Sequence, residues 1–195
     1  MLKIGITGGI GSGKTTVCRI FEILNIAIYY SDQRAKELMV SNPELKAKLR
    51  FTFGDAIFDS NGNLNSTLLA AIVFPDQQKL ETLNSIVHPF VLDDFSDWCE
   101  KNSKGKYVIL ESAIIFESGI DHLLDHVVIV DAPKEIRIQR IMERDKANKE
   151  EVIQRMGNQL SSEEKIKLSK LIVLNDGKQS LIDQVMSLHT DFSGL

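Results

Sequence analysis

Gly8-Gly9-Ile10-Gly11-Ser12-Gly13-Lys14-Thr15 lies between the apolar run Leu2 to Thr7 and a segment in which Val17, Ile20, Phe21 and Leu24 recur at helical spacing. The octapeptide matches G-x-x-x-x-G-K-[ST] in the place that motif requires, after a strand and opening a helix. Glycines let the backbone fold tightly, so that successive N–H groups point into one anion-sized hollow. The helix N-terminus adds a fixed positive potential. A nucleoside triphosphate site is therefore expected, with Lys14 on the β- and γ-phosphates and the Thr15 hydroxyl on Mg²⁺.

Working outward, Leu2–Thr7 reads as a strand buried on both faces of a parallel sheet. Ile26 to Tyr30 reads as a second strand, and Ser31 or Asp32 can cap the helix after it. Residues 32–102 are mostly helical, punctuated by Pro43, Phe53-Gly54-Asp55, Asn61-Gly62-Asn63, Pro75 and Pro89. Tyr107 to Leu110, ending in Glu111, is a third strand, and His126 to Val130 a fourth, with Pro133 near the first turn of the next helix. Residues 145–170 are charged and helical, and Ser161-x-x-Glu164 matches a capping box. Leu171 to Leu174 is the fifth strand, and a terminal helix is expected from about Lys178. Strands alternating with helices predict an α/β fold: a five-stranded parallel sheet with helices on both faces. The seventy-residue helical stretch after the second strand is too long for a simple crossover. It reads as an inserted substrate subdomain.

The chain has 195 residues, 43% hydrophobic and 26% charged, the composition of an ordinary globular domain. A formal charge of −4 argues against a general nucleic-acid binder, while leaving room for a local basic site. No apolar run reaches the roughly 18 residues of a membrane span, and the N-terminus carries no cleavage-site pattern. Cys18 and Cys99 are the only cysteines, so neither a disulfide framework nor a four-ligand zinc site is expected. Both read as buried small hydrophobes, Cys18 being the one more open to oxidation. A cytoplasmic location and a monomer are expected.

The γ-phosphate can go to water or to a substrate. A guanine-reading Asn-Lys-x-Asp is missing, since Asn175-Asp176-Gly177-Lys178 does not fit it, and no transporter signature occurs. A small phosphate-loop protein with a helical insert and a basic helical segment near its end reads as a small-molecule kinase, the insert holding the acceptor and the basic segment closing as a lid. Two alternatives stand beside it: a kinase for another small molecule or nucleoside on the same core, and a regulatory protein whose nucleotide state sets partner binding.

Further motifs carry a specific resemblance. The run Thr7 to Thr16, Ser31-Asp32, Phe53-Gly54, Phe74, His88-Pro89 and Ala113-Ile-Ile-Phe-Glu117-Ser-Gly119 resemble the dephospho-CoA kinase family in order. So do Arg140-x-x-x-Arg144-Asp145, Arg155-x-x-x-Gln159 and Asn175-Asp-Gly177. The likeness runs from about Lys3 to Lys178. It implies ATP-dependent phosphorylation of the ribose 3′-hydroxyl of dephospho-CoA, with Mg²⁺, giving CoA and ADP. It also implies three parts: a nucleotide core (1–31, 105–138 and 170–195), a helical CoA subdomain (32–104) and a lid (139–169).

Each residue that the resemblance singles out has a plainer reading. ATP would be held by Gly8, Gly9, Gly11, Ser12, Gly13, Lys14, Thr15 and Thr16. Asp32, just past the second strand, would orient the 3′-hydroxyl and accept its proton, or simply cap a helix. Glu111 would serve Mg²⁺ or merely end its strand. Glu117 would meet the substrate or a lid arginine, or face solvent. Arg137, Arg140 and Arg144 share a helix face; Arg140 and Arg144 would reach ATP phosphates, with Arg155 in support, or form a solvated stripe with Glu135 and Glu143. His88 would touch the ligand or mark a helix boundary with Pro89. Asn175 would join the adenine pocket. The chain departs from the family pattern at Tyr30, at Asn65-Ser66-Thr67, where Asp-Arg is frequent, and at Ser169-Lys170, where Ala-Asp is.

Overall fold

The computed structural model describes residues 1–195, which divide into two compact units, Met1–Tyr30 with Lys101–Leu195 and Ser31–Glu100. In the first unit β1 (Leu2–Thr7), β2 (Ile28–Tyr30), β3 (Tyr107–Glu111), β4 (His126–Asp131) and β5 (Leu171–Leu174) form one sheet in the order β2-β3-β1-β4-β5. Every pairing is parallel. The register sets Ile6 and Tyr30 beside Glu111, so three strands end together at one edge. Ligands bind at that edge in open parallel sheets.

The sheet alternates its side chains between two faces. Ile4, Ile6, Tyr107, Ile109, Val128, Val130 and Val173 pack with Val17, Cys18 and Phe21 of α1 (Lys14–Ile23) and with Val185 and Phe192 of α9 (Leu181–Gly194). On the other face Gly5 leaves no room for a side chain beneath Ile115 and Leu124, and α8 (Ser162–Leu168) lies against β4. Two helices precede α8 in chain order after β4, α6 (Lys134–Asp145) and α7 (Lys149–Gly157). Ile138 and Ile141 of α6 and Val152 of α7 make a small separate core.

The second unit holds α2 (Ser31–Ser41), α3 (Pro43–Phe53), α4 (Ser66–Val73) and the greater part of α5 (Gln77–Lys101). Asn42 and Asn65 cap α3 and α4 by accepting from Leu45 and Leu68 N–H. Asp59 receives the N–H groups of Asn61 and Asn63, which fixes the turn expected there.

Several expectations need correcting. Pro89 does not end a helix, and α5 runs through it. An internal proline costs about 3 kcal/mol, but Val87, Val91, Phe95 and Cys99 form a buried stripe at four-residue spacing. Burying such side chains is worth roughly 1.5–3 kcal/mol each, which outweighs the break. Strand β2 starts at Ile28 rather than Ile26, because Ile26 N–H turns back to the Phe21 carbonyl at the end of α1. The last helix starts at Leu181, since Asp176 engages Lys178 and Gln179 N–H in a turn and Ser180 takes the cap. Ser31 and Asp32 are already inside α2, so neither is its N-cap. No helix is long and apolar enough to cross a membrane.

Candidate active site

The phosphate loop joins β1 to α1. Gly13 sits at φ 97°, and a Cβ there would stand 2.0 Å from Asn175 Nδ2, so both conformation and space demand glycine. Asn175, buried at the end of β5, donates from Nδ2 to the Ser12 carbonyl at 2.8 Å and from its backbone N–H to the Asp131 carbonyl at 2.7 Å. The loop is thereby fastened to the sheet's edge from below. The Thr7 and Ser12 hydroxyls are buried without a hydrogen-bond partner. Leaving such a group unpaired costs about 1–3 kcal/mol, a strain that is tolerated at ligand sites.

Lys14 donates to the Gly8 carbonyl at 2.9 Å and lies 3.8 Å from Glu111 Oε1. Both side chains are about nine-tenths buried. Glu111 is thus a carboxylate at the strand edge, beside the loop lysine. The Cys18 thiol of α1 is fully buried and pushed far above its ordinary pKa, first by burial and then by the Glu111 carboxylate. It is a packing residue rather than a reactive one.

The arginines of α6 part company. Arg140 bridges to both oxygens of Asn175 at 3.2 Å and lies at 3.5 Å from the Gly11 and Ser12 carbonyls, against the phosphate loop. Arg144 pairs with its neighbour Asp145 at 2.7 Å, and Arg155 of α7 joins the same carboxylate at 3.0 Å. Arg137 is buried, donating from Nε to the Ile10 carbonyl at 3.0 Å and from Nη1 to Ser162 Oγ at 2.7 Å; Ser162 donates in turn to Asp131. The stripe is therefore neither uniformly solvated nor uniformly aimed at the loop.

Glu117 meets no arginine. Its Oε1 accepts from Leu160 N–H at 2.9 Å and faces Lys165 Nζ at 2.9 Å. Lys165 has no exposed surface and also donates to the Ala113 carbonyl at 2.6 Å. Burial pulls its pKa below the ordinary lysine value, against the raising influence of Glu117. The capping box at Ser161 and Glu164 forms as expected, and Asn148 with Glu151 makes a second one.

Within the first unit the structure gathers Lys14, Glu111, Arg140 and Asn175 around the loop, while Arg144 and Glu117 serve other partners. Thr15 and Thr16 are exposed at the start of α1. In the second unit Asp32 is exposed in the first turn of α2, and His88, half-buried in α5, has a pKa lowered by burial, so that it is neutral near pH 7. No group of three or more His, Cys, Asp or Glu side chains is arranged so that it could hold a metal ion by itself. Sequence reasoning missed Ser162 and Lys165 altogether. Each is one polar residue in a charged helical run, and its partner lies 25 to 52 residues away in the chain.

The arrangement suits charge neutralisation on a polyphosphate: a glycine loop opening a helix, a lysine, an arginine and a strand-edge carboxylate. The family described as Dephospho-CoA kinase matches residues 2–180. A dephospho-CoA kinase of Porphyromonas gingivalis is 41% identical over 192 residues, covering 96% of this chain and 93% of the relative. One of Bacteroides fragilis is 38% identical over 187 residues, covering 96% and 91%. A crystal structure from Thermus thermophilus superposes with a TM-score of 0.82 at 32% identity, covering 100% of this chain and 97% of the other.

Proposed function

The chain belongs to the dephospho-CoA kinase family, and on that premise we propose how its residues share the reaction. The enzyme transfers the γ-phosphoryl of ATP to the ribose 3′-hydroxyl of dephospho-CoA, giving CoA and ADP, the last step of coenzyme A biosynthesis. The observation that carries the assignment of roles is the placement of Lys14 beside Glu111, under a loop whose carbonyls Arg140 approaches.

Gly8, Gly9, Gly11, Ser12 and Gly13 hold the phosphates through backbone N–H groups, with Thr16 at the first turn of α1. Lys14 leaves the Gly8 carbonyl for the β- and γ-phosphates. Arg140 neutralises charge that spreads over the transferring phosphoryl, its planar fork suiting phosphate oxygens. Arg144 contributes to nucleotide binding when it exchanges Asp145 for phosphate, and Asn175 borders the adenine.

Mg²⁺ supplies further neutralisation of the β- and γ-oxygens when bound. The donor set fits it: this ion keeps most of its water and needs only one or two protein oxygens beside the phosphates. Here those would be the hydroxyl of Thr15, an exposed residue, and the Glu111 carboxylate. A dedicated cage of side chains is not required, in keeping with the lack of an acidic cluster.

Residues 32–104 hold the acceptor, and residues 139–169 close over the nucleotide. Asp32 orients the 3′-hydroxyl and takes its proton; a loose transition state asks for little nucleophilic push, so an ordinary carboxylate suffices. His88, neutral, offers a hydrogen bond to the acceptor, and Glu117 acts on it from beside Lys165. The cytoplasm is the compartment in which the reaction is placed.

The test is Mg²⁺-ATP turnover with dephospho-CoA, run beside adenosine, AMP, shikimate and no acceptor. ADP release that requires dephospho-CoA, with CoA identified by mass, supports the reading. Turnover with another acceptor alone keeps the kinase and moves its substrate. Nucleotide binding without transfer to anything favours a regulatory protein.

A further inference from the structure

Ile10 occupies a variable position of the phosphate-loop motif, where anion binding sets no side chain. In this chain it is held at three points by residues more than a hundred positions away. Its N–H donates to Gln159 Oε1 at 3.0 Å, and its carbonyl accepts from Arg137 Nε at 3.0 Å. Its side chain packs against the small core of Ile138 and Ile141 of α6 and Val152 of α7. Both polar atoms of one loop residue are thus taken by side chains from outside the loop.

The Arg137 end is rigid. Its guanidinium presses so closely on the loop that a Cβ at Gly9 would stand 2.0 Å from Nη2. Ser162 and Asp131 hold its far side. The Gln159 end is a single hydrogen bond, from a residue two places past the end of α7. The next residue, Leu160, gives its N–H to Glu117. Gln159-Leu160 is therefore the step at which the chain between α7 and α8 is tied to both the phosphate loop and the segment after β3.

We propose that Gln159 is a positioning residue for nucleotide binding: with Arg137 it holds Ile10 by its N–H and its carbonyl, the two peptide units on either side of the residue, keeping the N–H groups of Gly11 to Lys14 convergent on the phosphates. Holding the first half of the loop removes freedom that a nucleotide would otherwise have to take out of it on binding, and preorganisation of this kind appears as affinity. Linkage makes the effect reciprocal. A bound nucleotide strengthens the hold on Gln159, and so orders the chain after α7 by the same factor.

The clamp rests on the kinase reading for its bearing on catalysis, whereas its effect on the loop is measurable without an acceptor. The experiment compares the whole protein with Gln159→Met, which keeps length and removes the acceptor oxygen, and Gln159→Glu, which retains an oxygen for Ile10. ADP affinity is read by calorimetry well below the melting temperature, alongside KM for ATP, kcat, KM for dephospho-CoA and hydrogen exchange of residues 149–160 with and without ADP. The expected result for Gln159→Met is an ADP affinity about three- to tenfold weaker, the worth of one hydrogen bond. KM for ATP rises in step, KM for dephospho-CoA is unchanged, and the protection of residues 149–160 by ADP is lost; Gln159→Glu retains that protection. A Gln159→Met protein with a lower melting temperature but wild-type ADP affinity and wild-type protection overturns the proposal. Should the wild-type enzyme fail to use dephospho-CoA, the substrate assignment falls, while the ADP and exchange measurements still decide the clamp.

Discussion

Lys165 Nζ stands 2.9 Å from Glu117 Oε1, and no part of the lysine reaches solvent. Breaking a buried pair by deleting one partner leaves an uncompensated charge, which is costlier than lacking the pair altogether. Glu117→Ala is expected to destabilise the protein by ~3 kcal/mol in urea denaturation. Lys165→Met, which removes the buried charge itself, is expected to cost clearly less. Equal losses would mean that the pair acts only through packing.

The same lysine sets a pH dependence. Its folded pKa is lowered, mainly by burial, so at alkaline pH the unfolded chain binds a proton that the folded chain has already released. Stability contributed by this group therefore rises with pH between the lowered folded value and the ordinary lysine value. Denaturation of wild type and Lys165→Met at a series of pH values above neutrality is expected to show the difference between them moving in favour of wild type as pH climbs. A parallel pair of profiles would contradict this.

Lys14→Ala is expected to reduce transfer by about 10³-fold or more while the fold survives, because a charge aimed at developing negative charge is lost. It donates to the Gly8 carbonyl and lies beside the buried Glu111 carboxylate, so circular dichroism is expected to stay native while the melting temperature falls as Glu111 loses its partner. Turnover near that of wild type would remove Lys14 from the chemistry.

Asp32→Asn is expected to lower kcat far more than it raises the KM for ATP. Because Asp32 lies inside α2 rather than at its N-cap position, its loss is not the loss of a cap, and melting temperature is expected to hold. An unaltered kcat would leave Asp32 as an exposed helix residue.

Arg140→Ala is expected to cost ~3 kcal/mol or more of transition-state stabilisation, as charge-neutralising arginines do in phosphoryl transfer. Arg144→Ala is expected to cost distinctly less, since Arg144 starts from a pair with Asp145, whereas Arg140 already lies against the Gly11 and Ser12 carbonyls. Steady-state kinetics of the two variants checks the order, and a larger effect at Arg144 would reverse the assignment.

The sequence by itself determined what depends on neighbours along the chain. The phosphate loop, the five strands, the Ser161–Glu164 capping box and the Asn61-Gly62-Asn63 turn are local patterns, in which residue type at fixed spacing selects one backbone conformation. Motif order was enough to point to the family. Only the tertiary structure decided that Arg137 and Arg140 lie against the loop while Arg144 does not, because the three share one face of α6 and differ only in what packs beside them. It also decided that Pro89 stays within a helix, where a buried stripe outweighs a local penalty, and that Glu117 faces Lys165, 48 residues later in the chain. Hydrogen bonds and ion pairs between distant segments carry no periodicity, so nothing in the order of residues announces them until folding has brought the partners together.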